Sequence, residues 1–257
     1  MASDPSQLTI QFQPERRVDV IDVNEHVQQE AAGFLRSYEE ALYCSYHTTG
    51  GYLEETICNR LDRCQDQVHE FISPFRELFP FGANYQHDQL HLRKELSPKQ
   101  RRTEPRNADS HLTFIGSGLE NCVTYPSTPS RPVFFIDLDG INKDNHDRRE
   151  RRTTVIGYNN ERVVEETDLH VPVSDHPIDS VSLRDPRLGI FKRLHEMLAE
   201  HDVRTGRVLL DLVPEENHAG LTVNEYETLL MKHDLAEVLQ DPLQFMARKG
   251  RNMLRDP

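Results

Sequence analysis

Three polar segments of the sequence carry histidines of the kind that metal binding and proton transfer require. His47 ends an apolar segment, His87 follows a predicted helix, and His111 opens the next one. Imidazole nitrogens bind Zn²⁺ and similar ions, and imidazole exchanges a proton near neutral pH. We therefore predict that the three histidines form a metal or catalytic site if the fold brings them together. His91 is a weaker candidate, for which a surface histidine is the simpler interpretation.

Carboxylates near these histidines supply the second half of the predicted chemistry. Glu55 and Asp139 are the preferred pair, and Glu54, Asp88 and Asp137 are further choices. A carboxylate can orient an imidazole or take a proton from a bound water. For each one taken alone, a solvated surface acid or a turn residue is the competing interpretation.

A run of arginines at residues 148–152 offers an anion-binding group. Guanidinium groups bind phosphate and carboxylate in a bidentate manner, which makes Arg151 and Arg152 candidate ligand contacts. Charge runs more often form solvated surfaces, and Asp147 and Glu150 partly neutralise this one. Both interpretations stay open at the level of sequence.

The apolar pattern predicts the elements that position these residues. Alternation predicts strands at 8–12, 18–23, 41–46, 121–125, 133–138 and 153–158, and helical spacing predicts helices at 24–37, 59–78 and 109–116. The first two strands read as a hairpin, Pro74 is expected to end or kink its helix, and residues 96–106 read as a surface loop. This order indicates an α+β fold with a largely antiparallel sheet packed with helices.

The hydrophobic periodicity and proline content of the sequence change near residue 166, which predicts a core domain at 1–165 and a mostly helical extension at 166–257. Residues 168–187 read as a linker or as an arm wrapped on the surface, and a strand is compatible with 208–213. Helices are predicted at 188–201, 223–239 and 243–254. The first of these has an apolar face that requires burial.

Composition excludes several classes of function. The 257 residues carry a formal net charge of -13, so a general nucleic-acid binder is not expected. We find neither a membrane segment nor a secretory signal, which predicts a cytoplasmic protein without membrane partners. The four cysteines form no CxxC pair and are interpreted mainly as packed thiols.

Four motifs in this order resemble the YjbQ family over roughly residues 8–160. They are His47-Thr48-Thr49 after a strand, Asn84-Tyr85-Gln86-His87-Asp88 after a helix, Ser110-His111-Leu112 at the start of a helix, and Arg151-Arg152 at the start of the last core strand. The family consists of small trimeric α+β proteins whose members have been linked to a secondary thiamine-phosphate synthase activity.

The resemblance implies a homotrimer with a polar pocket at or near subunit interfaces. It implies that His47, His87 and His111 are the metal or catalytic histidines, and the expected cofactor is a divalent metal ion, with Zn²⁺ as the first choice. The substrate contacts that accompany them are Thr48, Thr49, Tyr85, Asp88, Ser110, Arg151 and Arg152, while Glu55 and Asp139 are the proposed proton-transfer groups.

Two functions from different classes follow. The first is a metal-assisted enzyme, a transferase or hydrolase, acting on a small polar metabolite, phosphorylated ones included. The second is a non-catalytic trimeric module for ligand binding or assembly. It is motivated by departures from the family pattern, because Glu54-Glu55 replaces the usual Asn-Glu pair and the chain contains no Trp.

Overall fold

The computed structural model describes residues 4–93, 96–142, 146–172, 179–183, 185–203, 206–216 and 219–222. They belong to two compact units, one from residues 4–84 and 103–161 and the other from residues 85–102 and 162–222. The sequence boundary at residues 165 and 166 stays a prediction.

The described elements alternate between strands and short helices. They are β1 (Ser6–Phe12), β2 (Asp19–Asp22), α1 (Val23–Glu30), a 3-10 helix (Phe34–Ser37), β3 (Glu40–Ser45), β4 (Gly50–Gly51), α2 (Glu55–Arg60), α3 (Gln65–Leu78), α4 (Pro98–Thr103), α5 (Ala108–Gly116), β5 (Cys122–Pro126), β6 (Phe134–Asp137), β7 (Arg151–Tyr158), β8 (Asp179–Ser182), α6 (Ile190–Glu200) and β9 (Ala219–Thr222).

Two antiparallel sheets build the first unit. One has the strand order β1-β7-β3-β5, and the other has the order β2-β6-β4. Their inward-facing apolar residues share one buried cluster with residues of α1 and α3. The predicted α+β fold with antiparallel sheets and packed helices is therefore confirmed.

Aromatic side chains fill the middle of this core. The ring of Tyr43 lies 5.9 Å from that of Tyr52 and 5.8 Å from that of Tyr125, and Tyr52 meets Phe135 edge-on at 5.6 Å. Tyr43 donates its hydroxyl hydrogen to Asn24 Oδ1 at 2.6 Å. Each buried hydroxyl thus has a partner, as burial of a polar group requires.

The predicted hairpin between the first two strands is wrong. β1 pairs with β7, whereas β2 pairs with β6 in the other sheet. Alternation shows that each segment is a half-buried strand, but the pattern has no information about the partner strand.

The predicted helix at 59–78 is two helices. Asp62 and Arg63 adopt positive φ values of 50° and 48° between α2 and α3, and this conformation ends a right-handed helix. Pro74 lies inside α3, which continues to Leu78. Likewise, α1 ends at Glu30, and Gly33 with φ of 90° precedes a separate 3-10 turn.

The second unit confirms one predicted helix and corrects two loop predictions. α6 lies within the predicted 188–201, while β8 falls inside the predicted linker and pairs in parallel with β9. The predicted loop 96–106 contains α4. Residues 208–213 have no strand, and the predicted helices 223–239 and 243–254 lie outside the described residues.

The apolar face of α6 is only partly covered. Ile190 is 4% exposed, but Phe191 is 53% and Leu198 40% exposed. In the part of the chain that the structure describes, no helix is long and apolar enough to cross a bilayer.

Candidate active site

An arginine–aspartate pair lies where β6 ends and β7 begins. Asp137 is the last residue of β6 and Arg151 is the first of β7, and both side chains are buried. Arg151 Nε donates to Asp137 Oδ2 at 2.6 Å, and its Nη2 donates to Oδ1 at 2.8 Å. This bidentate geometry neutralises two charges that neither strand could bury alone.

The loop after β6 places a second carboxylate beside this pair. The backbone N–H of Asp139 donates to Asp137 Oδ1 at 2.9 Å, which fixes a tight turn. The carbonyl oxygen of Asp139 accepts a hydrogen bond from Arg151 Nη2 at 2.8 Å. Gly140 follows because a Cβ there would collide with Pro14 and with the carbonyl oxygen of Arg16.

The side chain of Asp139 is held by three partners. Arg17 Nη1 donates to its Oδ1 at 2.7 Å, Asn107 Nδ2 donates to its Oδ2 at 2.8 Å, and Arg149 Nη2 lies 2.8 Å from Oδ2. A carboxylate held in this way is suited to positioning cations. As a proton-transfer group, Asp139 stays a prediction that these contacts do not favour.

Arg17 connects Asp139 to the first turn of α5. Its Nη2 donates to both oxygens of Asp109, at 3.0 and 3.1 Å, and to Ser110 Oγ at 3.3 Å. The ring of Phe81 lies against the guanidinium, 5.0 Å from its carbon. Asp109 also favours the helix, because an acid near the N-terminus complements the helix dipole.

A cavity of about 300 Å³ is lined in part by Arg17. Its lining combines two arginines with aromatic, apolar and small polar groups: Arg17, Val18, Arg76, Phe79, Phe81, Asp109, Ser110, Thr113 and Leu138. Ser110 is the one predicted site residue that lines it. Its hydroxyl donates to the carbonyl oxygen of Leu138 at 2.7 Å, which leaves an oxygen lone pair for another donor.

His47 lies close to Arg151 and Arg152. Its Nε2 accepts a hydrogen bond from the backbone N–H of Arg152 at 2.9 Å, and its Nδ1 lies 3.4 Å from Arg151 Nη1. Burial, together with the charges of Arg151, Arg152 and Arg149, lowers the pKa of His47 to about 4. The ring is therefore neutral at physiological pH.

The other residues of the His47 motif have separate environments. Thr49 is buried, its carbonyl accepts from the Leu138 N–H at 2.9 Å, and its Oγ1 lies 3.5 Å from Arg151 Nη2. Thr48 is exposed in the turn before β4. Arg152 is exposed, and its guanidinium carbon stacks 4.8 Å above the Tyr46 ring.

His111 and Glu55 complete the predicted residues of the first unit. His111 is buried on α5, next to Ser110 in sequence. Glu55 begins α2 and forms an ion pair with Arg63 at 2.8 Å. This contact gives Glu55 a structural partner, and its proton-transfer role stays a prediction.

The remaining predicted residues belong to the second unit. Tyr85 and His87 are fully buried. His87 Nδ1 lies 2.9 Å from Asp88 Oδ1, and its Nε2 lies 3.5 Å from Arg93 Nη1. The Asp88 carboxylate can orient the imidazole ring, and a functional role of His87 stays a prediction.

The described side chains do not fit the predicted metal centre. No three His, Cys, Asp or Glu side chains among them lie close enough together to hold an ion. The Nε2 lone pair of His47 already accepts the Arg152 N–H, and the arginines beside it repel a cation. Metal ligation by His47, His87 and His111 stays a prediction of the sequence motifs.

Sequence reasoning missed Arg17, Asn107 and Asp109. Arg17 stands beside Arg16 in a polar connector, and no local pattern distinguishes the two. For Asp109, the available signal is its place one residue before the Ser110-His111 motif.

Comparison with known proteins gives matches among solved structures alone. No protein-family model matches the sequence, and no curated protein matches it. Similar structures include a hypothetical protein from Aeropyrum pernix K1, with a TM-score of 0.37 and 19% identity over 60% of this chain and 99% of that one.

Two further matches carry a family description. A YbjQ-like protein of unknown function from Sulfolobus solfataricus has a TM-score of 0.34 and 18% identity over 61% of this chain and 99% of its own. An uncharacterized conserved protein of the yjbq/upf0047 family from Clostridium acetobutylicum has a TM-score of 0.34 and 13% identity over 58% and 97%.

Proposed function

We propose that the protein is an enzyme acting on a small phosphorylated metabolite that binds in the cavity beside Arg17. The observation that carries this proposal is the composition of the cavity, whose lining includes the exposed Arg76 and the hydrogen-bonded group of Arg17, Asp109 and Ser110. Arg76 suits an anionic group, and Asp109 and Ser110 suit a hydroxyl or amino group.

Charge within the cavity supports a ligand with both kinds of group. Asp109 and Asp139 neutralise Arg17, so Arg76 supplies the attraction for an anion in the cavity. Asp109 can accept a hydrogen bond from a ligand hydroxyl or amine, and Phe79 and Phe81 offer apolar walls. A volume of about 300 Å³ lies at the small end of ligand sites, which suits a metabolite better than a polymer.

The proposed chemistry uses Asp109 as the proton acceptor. The Asp109 side chain is 13% exposed, whereas the Asp139 side chain is 1% exposed and is held by three partners. Arg17 holds the carboxylate in place, and Ser110 positions the group from which the proton leaves.

Binding of glycerol 3-phosphate and of inorganic phosphate, measured by isothermal titration, tests the site. We expect Arg76→Gln to weaken binding of either probe about tenfold, the effect of losing one charged hydrogen bond. Arg60→Gln is the matched control, since Arg60 is also exposed, lies on α2 and does not line the cavity. Equal affinities for the two variants, or no binding to the wild type, would reject the anion site.

Turnover separates an enzyme from the alternative, a non-catalytic ligand-binding or assembly module. The contacts of Asp139 with Arg17, Asn107 and Arg149 favour the non-catalytic module, because a network of this kind can stabilise the fold alone. Metabolite extract incubated with wild type and with Asp109→Asn, and then compared by mass spectrometry, distinguishes the two. An enzyme consumes a compound that the variant spares, whereas a module changes none.

Metal binding and assembly are separate proposals that rest on the family resemblance. Elemental analysis of protein purified without an affinity tag tests whether Zn²⁺ is bound, and His47→Ala is expected to lower the Zn²⁺ content if the motif histidines hold the ion.

Light scattering of the full chain tests the homotrimer. The exposed Phe191 and Leu198 of α6 support burial of that helix face in an assembly.

A further inference from the structure

Cys44 and Cys122 lie directly opposite each other on neighbouring strands. Cys44 belongs to β3 and Cys122 to β5, and their Cα atoms are register partners in the antiparallel ladder. Cys122 is exposed, Cys44 is partly buried, and no disulfide joins them. The sequence offered no signal for this pairing, because the two cysteines are far apart along the chain.

The hydrogen bonds of the ladder identify the type of this pair. The Ser45 N–H donates to the Asn121 carbonyl at 2.7 Å, and the Ser127 N–H donates to the Glu39 carbonyl at 2.7 Å. Hydrogen-bonded pairs alternate with non-hydrogen-bonded pairs along an antiparallel ladder, so both bonds assign Cys44 and Cys122 to a non-hydrogen-bonded position.

Such a position meets the geometric requirement for a disulfide. Opposed Cα atoms at non-hydrogen-bonded positions are about 4.5 Å apart, and disulfides join Cα atoms separated by about 4.4–6.8 Å. The side chains on both strands point to the same face of the sheet, because the residues are direct partners. Only a small movement of the strands is needed to bring the sulfurs into contact.

We propose that Cys44 and Cys122 form a redox-active dithiol that exchanges with low-molecular-weight disulfides. The exposed Cys122 thiolate attacks one sulfur of oxidised glutathione and releases one glutathione thiolate. The Cys44 thiolate then attacks the Cys122 sulfur and releases the second glutathione. The protein loses two electrons and two protons, and both are recovered in two molecules of reduced glutathione.

The disulfide would act on the strand end that carries His47. Asn121, next to Cys122, donates from its side chain to the His47 carbonyl at 2.7 Å. On the other strand, the Cys44 carbonyl accepts from Thr153 Oγ1 at 2.9 Å. Oxidation therefore braces β3 and β5 at the rung that precedes the His47 turn.

Incubation of the full chain with oxidised glutathione, followed by peptide mass spectrometry without reduction, tests the dithiol. We expect a peptide pair linked through Cys44 and Cys122, with the loss of two hydrogen atoms, that dithiothreitol reverses. In Cys44→Ser the reaction stops at a mixed disulfide between Cys122 and glutathione. Cys64→Ser is the matched control, because Cys64 is partly buried at the start of α3 and should leave the linkage unchanged.

Two results would overturn the proposal. The first is wild-type protein that keeps its circular dichroism spectrum and stops at the mixed disulfide to the same extent as Cys44→Ser. The second is a linkage of Cys122 to Cys64, or to another chain, in place of Cys44. Cys58 provides an internal reference, since burial raises the pKa of its thiol and glutathione should not modify it in the folded protein.

Discussion

Replacement of Asp137 by Asn tests whether the buried pair with Arg151 balances charge in the core. The amide is nearly the same size as the carboxylate, so the change removes one negative charge without creating a cavity. One of the two arginine contacts, at 2.6 and 2.8 Å, must then face an amide N–H group instead of an oxygen. The arginine is left with a repulsive contact and with less compensation for its charge.

The expected cost is set by the burial of both side chains. Their exposed fractions are 0% and 5%, so water cannot replace the lost partner. Breaking one side of a buried ion pair typically lowers the free energy of unfolding by about 3–5 kcal/mol. Replacing both Asp137 and Arg151 should lower the free energy of unfolding by less than the sum of the two single replacements. We expect the difference, the coupling energy, to be about 1–3 kcal/mol.

Urea unfolding followed by circular dichroism measures these energies for Asp137→Asn, Arg151→Met and the double variant. Glu55→Gln is the matched control, because its ion pair with Arg63 also has a 2.8 Å contact but leaves the acid 30% exposed. We expect the control to cost less than about 1 kcal/mol. Single-variant costs no larger than this control, or additive costs in the double variant, would refute the charge-balancing role.

Two further predictions concern stability. Burial, with the charges of Arg151 and Arg152, lowers the pKa of His47 from 6.5 to about 4, so the folded protein binds fewer protons than the unfolded chain between these values. Stability should therefore fall by about 1–2 kcal/mol as pH drops from about 6.5 to about 4, a full shift of roughly 3 kcal/mol discounted for solvent screening. Urea titrations of His47→Asn should lack this component, and an unchanged pH profile would contradict it. Gly51→Ala should lower the free energy of unfolding by about 2–3 kcal/mol, because the added Cβ would collide with the carbonyl oxygen of Glu120. An unchanged melting temperature would contradict this prediction, since it would show that the backbone moves apart without loss of stability.

Local sequence patterns predicted the elements better than their pairing. The strand predicted at 41–46 is observed as Glu40–Ser45, and the strand predicted at 153–158 begins two residues earlier at Arg151. Alternation is a property of the segment itself, so the sequence contains it. The predicted hairpin failed because the partner of β1, which is β7, is chosen by packing across the whole unit.

The site was predicted in part for the same reason. The motifs identify His47 and Arg151, and in the structure His47 Nδ1 lies 3.4 Å from Arg151 Nη1. The role of Asp139 depends on Arg17 and Asn107, which approach it from distant segments. A carboxylate exposed to solvent and one held by two arginines and an amide look identical in a sequence, because they differ only in their neighbours in space.

The three tyrosines at the centre of the core give the protein an optical signal of its own. The chain contains no Trp, so near-ultraviolet absorption comes mainly from tyrosine. Burial raises the pKa of Tyr43, Tyr52 and Tyr125, and their phenols stay un-ionised in alkaline solution while the core is closed. The appearance of their phenolate absorbance should therefore coincide with the opening of the core, and an alkaline titration doubles as a spectroscopic record of unfolding without any added label.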